Sequence, residues 1–195
     1  MSSLKAIDKR IAKRRQVYKA VLSNPFVNEE QIWPHVKNQQ LVQELLQKHV
    51  LNKVQHLQQM KVAKEEWPFD LITDFNKIYA YLEQNEPEQA KEALLFVCNK
   101  DQDVPLVMLQ QIPLMSYISS TQTTLVQLPK GSLGNIQKFI DLPYGILLLP
   151  AEHLDPVFLQ QIHEQVAKQI VPWLAPLKYK STDVKLAKSS APLKL

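Results

Sequence analysis

Residues 94–134 place the tightest limit on what this chain can fold into. Leu94-Leu95-Phe96-Val97-Cys98 is an unbroken apolar run, and Asn99-Lys100-Asp101-Gln102-Asp103-Val104-Pro105 is a polar turn closed by proline. Val126-Gln127-Leu128-Pro129-Lys130 then ends a second apolar run. Pro105 suits the first turn of a helix, where its missing N–H would have no partner anyway. Strand, helix and strand in that order make a crossover. A strand that is apolar throughout must be covered on both faces, so an α/β fold is expected: a three-layer α/β/α sandwich with a small mixed sheet.

The rest of the chain supplies the layers. Leu41, Leu45, Val50 or Leu51, and Val54 recur at helical spacing and predict an amphipathic helix over residues 39–56, behind the Trp33-Pro34 turn. Trp67-Pro68-Phe69 opens a second helix, with Leu71, Phe75, Ile78 and Leu82 on one face and an end near Asn85-Glu86-Pro87. Strands are expected at residues 94–98, 124–128 and 145–149, a short helix at 132–140 and a longer one over 155–170. Three glycines against thirteen prolines mean that proline sets most turns and that few residues take positive φ.

With 195 residues and 45% hydrophobic content, the chain can bury one core and still carry extensions. No apolar stretch approaches the roughly 18 residues of a membrane span. The first residues lack the apolar core of a secretory signal, and a single cysteine, Cys98, excludes an internal disulfide. A reducing compartment is expected.

The net charge of +4 conceals an uneven distribution. Residues 1–20 hold Lys5, Lys9, Arg10, Lys13, Arg14, Arg15 and Lys19 against Asp8. Residues 178–195 hold Lys178, Lys180, Lys185, Lys188 and Lys194 against Asp183. The stretch between is therefore acidic. Cationic ends on an acidic body are the pattern of arms that reach for a polyanion. The first arm interleaves its cations with Ile7, Ile11, Val17 and Tyr18 and runs into an Asn24-Pro25-Phe26 anchor. Ser189, Ser190 and Pro192 give the second the composition of an ordinary tail. Three regions are expected: a basic nucleic-acid-binding arm over residues 1–30, an α/β core over 31–172 and a basic tail over 173–195.

Catalytic chemistry finds little support. Of His35, His49, His56, His153 and His163, only His49 and His56 approach metal-ligand spacing, and no carboxylate completes a site, so no metal is expected. Three glycines leave no room for a phosphate-cradling glycine-rich loop, and no cofactor is expected. Lys130-Gly131-Ser132-Leu133-Gly134 precedes a short helix; it admits either an anion at that helix terminus or a tight turn with Lys130 solvated. Asp101 and Asp103 sit just ahead of a helix and read as caps for its free N–H groups. Cys98 reads as a small buried hydrophobe. Trp33, Trp67 and Trp173 each adjoin a proline and read as anchors at turns.

Residues 71–149 resemble the kink-turn-binding ribosomal-protein superfamily, the L-seven-Ae fold. Asp74-Phe75-Asn76-Lys77-Ile78 stands where that family has a helix beginning Gly-x-Asn-Glu. Ile112-Pro113-Leu114-Met115-Ser116-Tyr117-Ile118 matches its Leu-Pro-x-Leu-type stretch, and Leu128-Pro129-Lys130 with Leu133-Gly134 matches the following strand end. The resemblance implies an L-seven-Ae-like sandwich with basic extensions that reads sheared G·A pairs with the helix and packs apolar side chains on an extruded nucleotide. Asp74 replaces the glycine and Lys77 the glutamate. Lysine has no acceptor for a guanine edge. Asn76 can still bond a base edge and Lys77 a phosphate, so recognition through shape and backbone is expected.

The flanks are similar to the fungal Pop-three family of protein subunits of ribonuclease P and ribonuclease MRP. The similarity rests on Lys13-Arg14-Arg15-Gln16-Val17-Tyr18-Lys19, Leu22-Ser23-Asn24-Pro25-Phe26, Cys98-Asn99-Lys100-Asp101, Val104-Pro105-Leu106-Val107, and Pro172-Trp173-Leu174 with Lys178-Tyr179. It implies a noncatalytic subunit of a nuclear and nucleolar ribonucleoprotein whose RNA cleaves precursor tRNA, with the MRP particle acting on precursor rRNA. Its partners would be ribonuclease P RNA, ribonuclease MRP RNA and other protein subunits, with no membrane and no small-molecule substrate. The residues expected on RNA are Lys9, Arg10, Lys13, Arg14, Arg15 and Lys19 of the arm, Asn76, Lys77, Lys100, Leu114, Met115, Ser116, Tyr117, Ile118, Lys130, Lys178 and Lys180. A rival reading is a scaffold that binds protein subunits through Phe26, Trp33 and Trp173. A stand-alone nuclease would need clustered acids or a His/Lys pair, which the sequence lacks.

Overall fold

The computed structural model describes residues 14–22, 32–83, 92–171 and 184–192. In chain order the elements are β1 (Arg14–Leu22), α1 (Gln39–Leu46), α2 (Asn52–Gln59), α3 (Phe75–Glu83), β2 (Glu92–Val97), α4 (Leu106–Leu109) and α5 (Ile112–Ile118). There follow β3 (Gln122–Gln127), α6 (Ser132–Ile136), β4 (Ile146–Pro150), α7 (Pro156–Gln165) and β5 (Val184–Pro192). Residues 29–172 form one compact unit; residues 1–28 with 173–195 form another.

The larger unit is mixed α/β. Its sheet has the order β3-β2-β4. β2 runs parallel to β3, with Leu95 opposite Leu125, and antiparallel to β4, with Leu95 opposite Leu148. Ala93 to Val97 and every residue of β4 are buried, so successive side chains find cover on both sides of the sheet. Full burial of Leu94, Leu95 or Phe96 stabilises the fold by about 1.5–3 kcal/mol each. The crossover deduced from the apolar runs is present, with each strand boundary within two residues of expectation.

Asn38 starts α1, its Oδ1 accepting from the Leu41 N–H at 3.0 Å. The helix continues through a π turn, Gln47–Leu51, into α2. The wider turn shifts the helical phase. Both Val50 and Leu51 are thereby buried, where the spacing alone left a choice between them. α1 packs on α7, and the His49 ring stacks on Phe158 with centroids 5.2 Å apart.

Three helices differ from expectation, α6 by ending at Ile136 and not near Ile140. The second expected helix does not open at Trp67. Ile72 instead pairs with Leu148 at the edge of β4, exchanging N–H···O bonds of 3.0 and 2.9 Å. α3 then starts behind Asp74, whose Oδ1 accepts from the Lys77 N–H at 2.9 Å. Ile78 and Leu82 face inward as the pattern requires. α7 begins behind its Asp155 cap, which accepts from Val157 N–H at 2.9 Å, but ends at Gln165. There the backbone leaves the helix to meet the segment near Val36, with Lys37 N–H donating to Gln165 O and Ala167 N–H to His35 O, both at 2.8 Å. At Ile72 and at Val166 a sheet-type partner outcompetes another helical turn for the same backbone groups.

The smaller unit contains an antiparallel ribbon of β1 and β5, in register from Arg14 opposite Pro192 to Leu22 opposite Val184. The two cationic ends, read separately along the sequence, supply the two strands of one sheet.

Candidate nucleic-acid interface

One end of the central sheet carries four of the nine core residues expected on RNA: Asn76, Lys77, Lys100 and Lys130. β2 and β3 finish there and β4 begins. Cys98 N–H donates to Gly145 O at 2.8 Å and Leu128 N–H to Val97 O at 3.0 Å. Because Ile72 runs antiparallel to β4, the chain from Ile72 to Phe75 heads for the same end. The Phe75 and Tyr144 rings meet edge to face at 6.1 Å. The first turn of α3 therefore lies at the same end of the sheet as residues 98–105, 128–131 and 142–145, on the β4 edge beside Tyr144, while residues 128–131 follow β3 at the opposite edge.

The loops that follow β2 and β3 are tied together by a buried carboxylate. Asp101 accepts the N–H groups of Gly131 and of Leu133, the latter at 2.8 Å. Gly131 takes φ +89°, a left-handed conformation that suits glycine. The Asp101 cap thus serves α6 across the fold and not the helix that follows it in sequence. It also fills the α6 terminus where an external anion was one expectation. Gly145, at φ +65°, lies so close to Val104 that an added Cβ would come within 2.7 Å of its Cγ2. Asp103 is exposed.

Around this end, Asn76 and Lys77 are exposed on the first turn of α3, and Lys130 is exposed behind Pro129. Lys100 is exposed with its Nζ donating to Gln39 Oε1 at 3.0 Å. It lines a cleft of ≈ 580 Å³ with Lys37, Asn38, Gln40 and Pro129. Val107, just behind Pro105, is 78% exposed. Sequence reasoning missed Val107, because an apolar residue on a short helix reads as core. Its clue was position: two residues past the proline that closes the polar turn.

α5 packs against α3, so the Pro113 segment and Asn76 belong to neighbouring helices. β3 starts opposite Glu92, the first residue of β2, so the last turn of α5 lies toward the far end of the sheet. Leu114 and Met115 are half-buried, Met115 against the core. Ser116 is buried, its hydroxyl donating to Pro113 O at 3.0 Å, with Gln169 Oε1 3.2 Å away. The expected apolar stretch therefore includes one internal side chain, and Tyr117 and Ile118 are its exposed members.

Lys19 is exposed on β1 opposite Ala187; Arg14 and Arg15 lie opposite Pro192 and Ala191. Lys9, Arg10, Lys13, Lys178 and Lys180, with Phe26 and Trp173, lie outside the described residues. Trp33 is partly buried against the core and also lines the cleft beside Lys100.

Burial and the nearby Asp101 push the Cys98 thiol up to about 12, so it stays protonated and unreactive at neutral pH. Among the described residues, no three His, Cys, Asp or Glu side chains gather as metal ligands, and no helix is long and apolar enough to cross a membrane. His163 pairs with Glu92 at 2.9 Å, and His49, stacked on Phe158, lies 3.6 Å from the Asp155 carboxylate that caps α7.

Comparison with known proteins gives two concordant matches. The family described as RNase P subunit Pop3 matches residues 13–176. The ribonucleases P/MRP protein subunit POP3 of Saccharomyces cerevisiae is 47% identical over 192 residues, spanning 98% of this chain and 95% of the relative.

Proposed function

The chain belongs to the family of the RNase P subunit Pop3, and from that premise we propose that it is a noncatalytic RNA-binding subunit of ribonuclease P and ribonuclease MRP. It supports the fold of the catalytic RNA during 5′-end maturation of precursor tRNA and processing of precursor rRNA. It works in the nucleus and nucleolus, with the two RNAs and the other protein subunits as partners. The core is read as an L-seven-Ae-like three-layer sandwich, supported by the crossover, the mixed sheet and strands buried on both faces.

The observation that carries the reading is that exposed Asn76, Lys77, Lys100, Lys130 and Val107 all lie at one end of the sheet, spread from its β4 edge to its β3 edge. A carboxamide can bond a base edge, ammonium groups neutralise phosphates, and an exposed aliphatic surface can lie under an unstacked base. Tyr117 and Ile118 offer a separate exposed apolar pair toward the other end of the sheet, and the basic arm adds phosphate contacts of its own. Asp74 caps α3 and fixes the turn that presents Asn76 and Lys77.

The test is binding of the full chain to a fragment of the particle RNA across a salt series. Lys77→Gln, Lys100→Gln and Lys130→Gln together should make the slope of log affinity against log salt shallower by about 2–3, at about 0.9 per duplex phosphate contact. An unchanged slope would remove this end of the sheet from the RNA.

A further inference from the structure

We propose that the β1–β5 ribbon is itself a duplex-RNA grip, built from both chain ends and competent only when they are paired. The inference rests on the RNA-binding reading above and extends it to a second surface. β1 and β5 contain Arg14, Arg15, Lys19, Lys185 and Lys188 and no Asp or Glu. The register places every one of these cations opposite an uncharged residue: Pro192, Ala191, Ala187, Val21 and Tyr18 respectively. Like charges directly opposite would oppose pairing. This register accumulates positive charge while avoiding that penalty.

The exposure of the ribbon argues that its charge is meant for a partner. Tyr18, Lys19, Leu186 and Lys188 are all exposed. Tyr18 lies opposite Lys188, and Leu186 is two residues along the same strand, so these three share a face. A two-stranded ribbon alone in water is marginally stable, and one without internal carboxylates has no ion pairs of its own to offset repulsion. A polyanion supplies what is missing. Nine residues per strand span about 30 Å at about 3.3 Å each, a length suited to a run of phosphates along one duplex. An A-form duplex offers a wide, shallow minor groove lined by phosphates and 2′-hydroxyls, read by shape and not by sequence. The charge pattern therefore favours duplex RNA over a protein surface as the occupant.

The ribbon and a pair of independent tails predict different things for a change that leaves charge untouched. Of two successive residues in a strand, one directs its N–H at the partner, so Leu186→Pro with Ala187→Pro must break the ladder. In the full chain bound to a model RNA duplex, this variant should lose about two to three units of log–log salt slope, because the register sets Arg14 and Lys188 on one face and Arg15, Lys19 and Lys185 on the other, and a duplex lies against one face. Lys185→Gln with Lys188→Gln should lose about one, since the two positions are on opposite faces. If the proline variant keeps the wild-type slope, the ends act separately and the ribbon proposal is overturned.

A second variant guards against misfolding. Val17 and Ser189 are in register, and partners in an antiparallel pair lie about 4.5–5.5 Å apart at Cα, within disulfide reach. Val17→Cys with Ser189→Cys, oxidised, should keep the wild-type slope; Cys98 is buried and does not compete. Loss of binding on oxidation would overturn the proposal, as would crosslinking of Tyr18 in the particle to a protein subunit in place of RNA. If the proline variant is silent while the Lys77, Lys100 and Lys130 triple variant loses slope, the ribbon fails and the core reading stands. If the unmodified chain binds no RNA at low salt, both fail.

Discussion

Asp101→Ala tests how the loops at the sheet end are held. The carboxylate accepts two backbone N–H groups, from Gly131 and Leu133. Leu133 is buried, so its N–H would lose its partner with no water to replace it; Gly131 is exposed and can be rehydrated. A hydrogen bond to a charged group contributes about 1.5–3 kcal/mol. Counting the Leu133 bond in full and the Gly131 bond as minor gives a loss of about 2–4 kcal/mol. For a chain of this size that corresponds to a fall in Tm of about 5–15 °C. Asp101→Asn retains one acceptor oxygen for Leu133 but turns an NH2 group toward a second donor, and should lose about half as much. Thermal melts and urea titrations followed by circular dichroism measure the series wild type, Asn, Ala. Because Lys100 and Lys130 ride on the two loops that Asp101 joins, RNA affinity should weaken in the same order. An Asp101→Ala variant within about 0.5 kcal/mol of wild type, inside the range of ordinary surface substitutions, would refute the reasoning.

Three further outcomes are expected. Gly145→Ala should cost about 2–4 kcal/mol, part from left-handed backbone and part from the clash with Val104; a double-mutant cycle with Val104→Ala should show favourable coupling of about 1 kcal/mol or more, and strict additivity would exclude the clash. Asp74→Ala should cost about 1 kcal/mol through loss of the α3 cap while Asp74→Ser stays near wild type, as read from chemical denaturation. The Cys98 thiol is raised by burial to about 12 from an ordinary value of 9.0, so between these values the unfolded chain releases a proton that the folded chain retains. Stability should then fall as pH rises, with Cys98 contributing up to about 1.4 kcal/mol per pH unit. Tyr81, also raised by burial and by Glu152 and Asp70, adds in the same direction, so the check is whether Cys98→Ala flattens the alkaline loss relative to wild type.

What the sequence disclosed depended on the range of the interaction. The apolar runs at Leu94 and Val126, the helical spacing from residue 39 and the helix start at Asp155 are local signals, and two strands and two helix starts appear within two residues of them. Asp101 was legible as a cap but not as the cap of α6, because its acceptor role is completed by Gly131 and Leu133, some thirty residues on. Leu71, Phe75, Ile78 and Leu82 fit a helix, yet Ile72 joins β4 because Leu148 offers a hydrogen-bonding partner that periodicity cannot register. Ser116 looked like part of an apolar surface, whereas Pro113 O and Gln169 draw its hydroxyl inward. Pairing of β1 with β5 brings together residues from opposite ends of the chain, a separation at which alternation alone gives no hint of a partner. Asn76 and Lys77 were placed on a helix start by their resemblance to a motif; Asp74 supplies the physical reason that the helix starts there.

The most direct measurement is ultraviolet crosslinking of the assembled particle followed by mass spectrometric mapping of nucleotide adducts on this subunit. The account predicts adducts on the peptides carrying Asn76 and Lys77, Lys100 to Val107, and Lys130. Adducts absent from all three, with protein subunits crosslinked there instead, would contradict it.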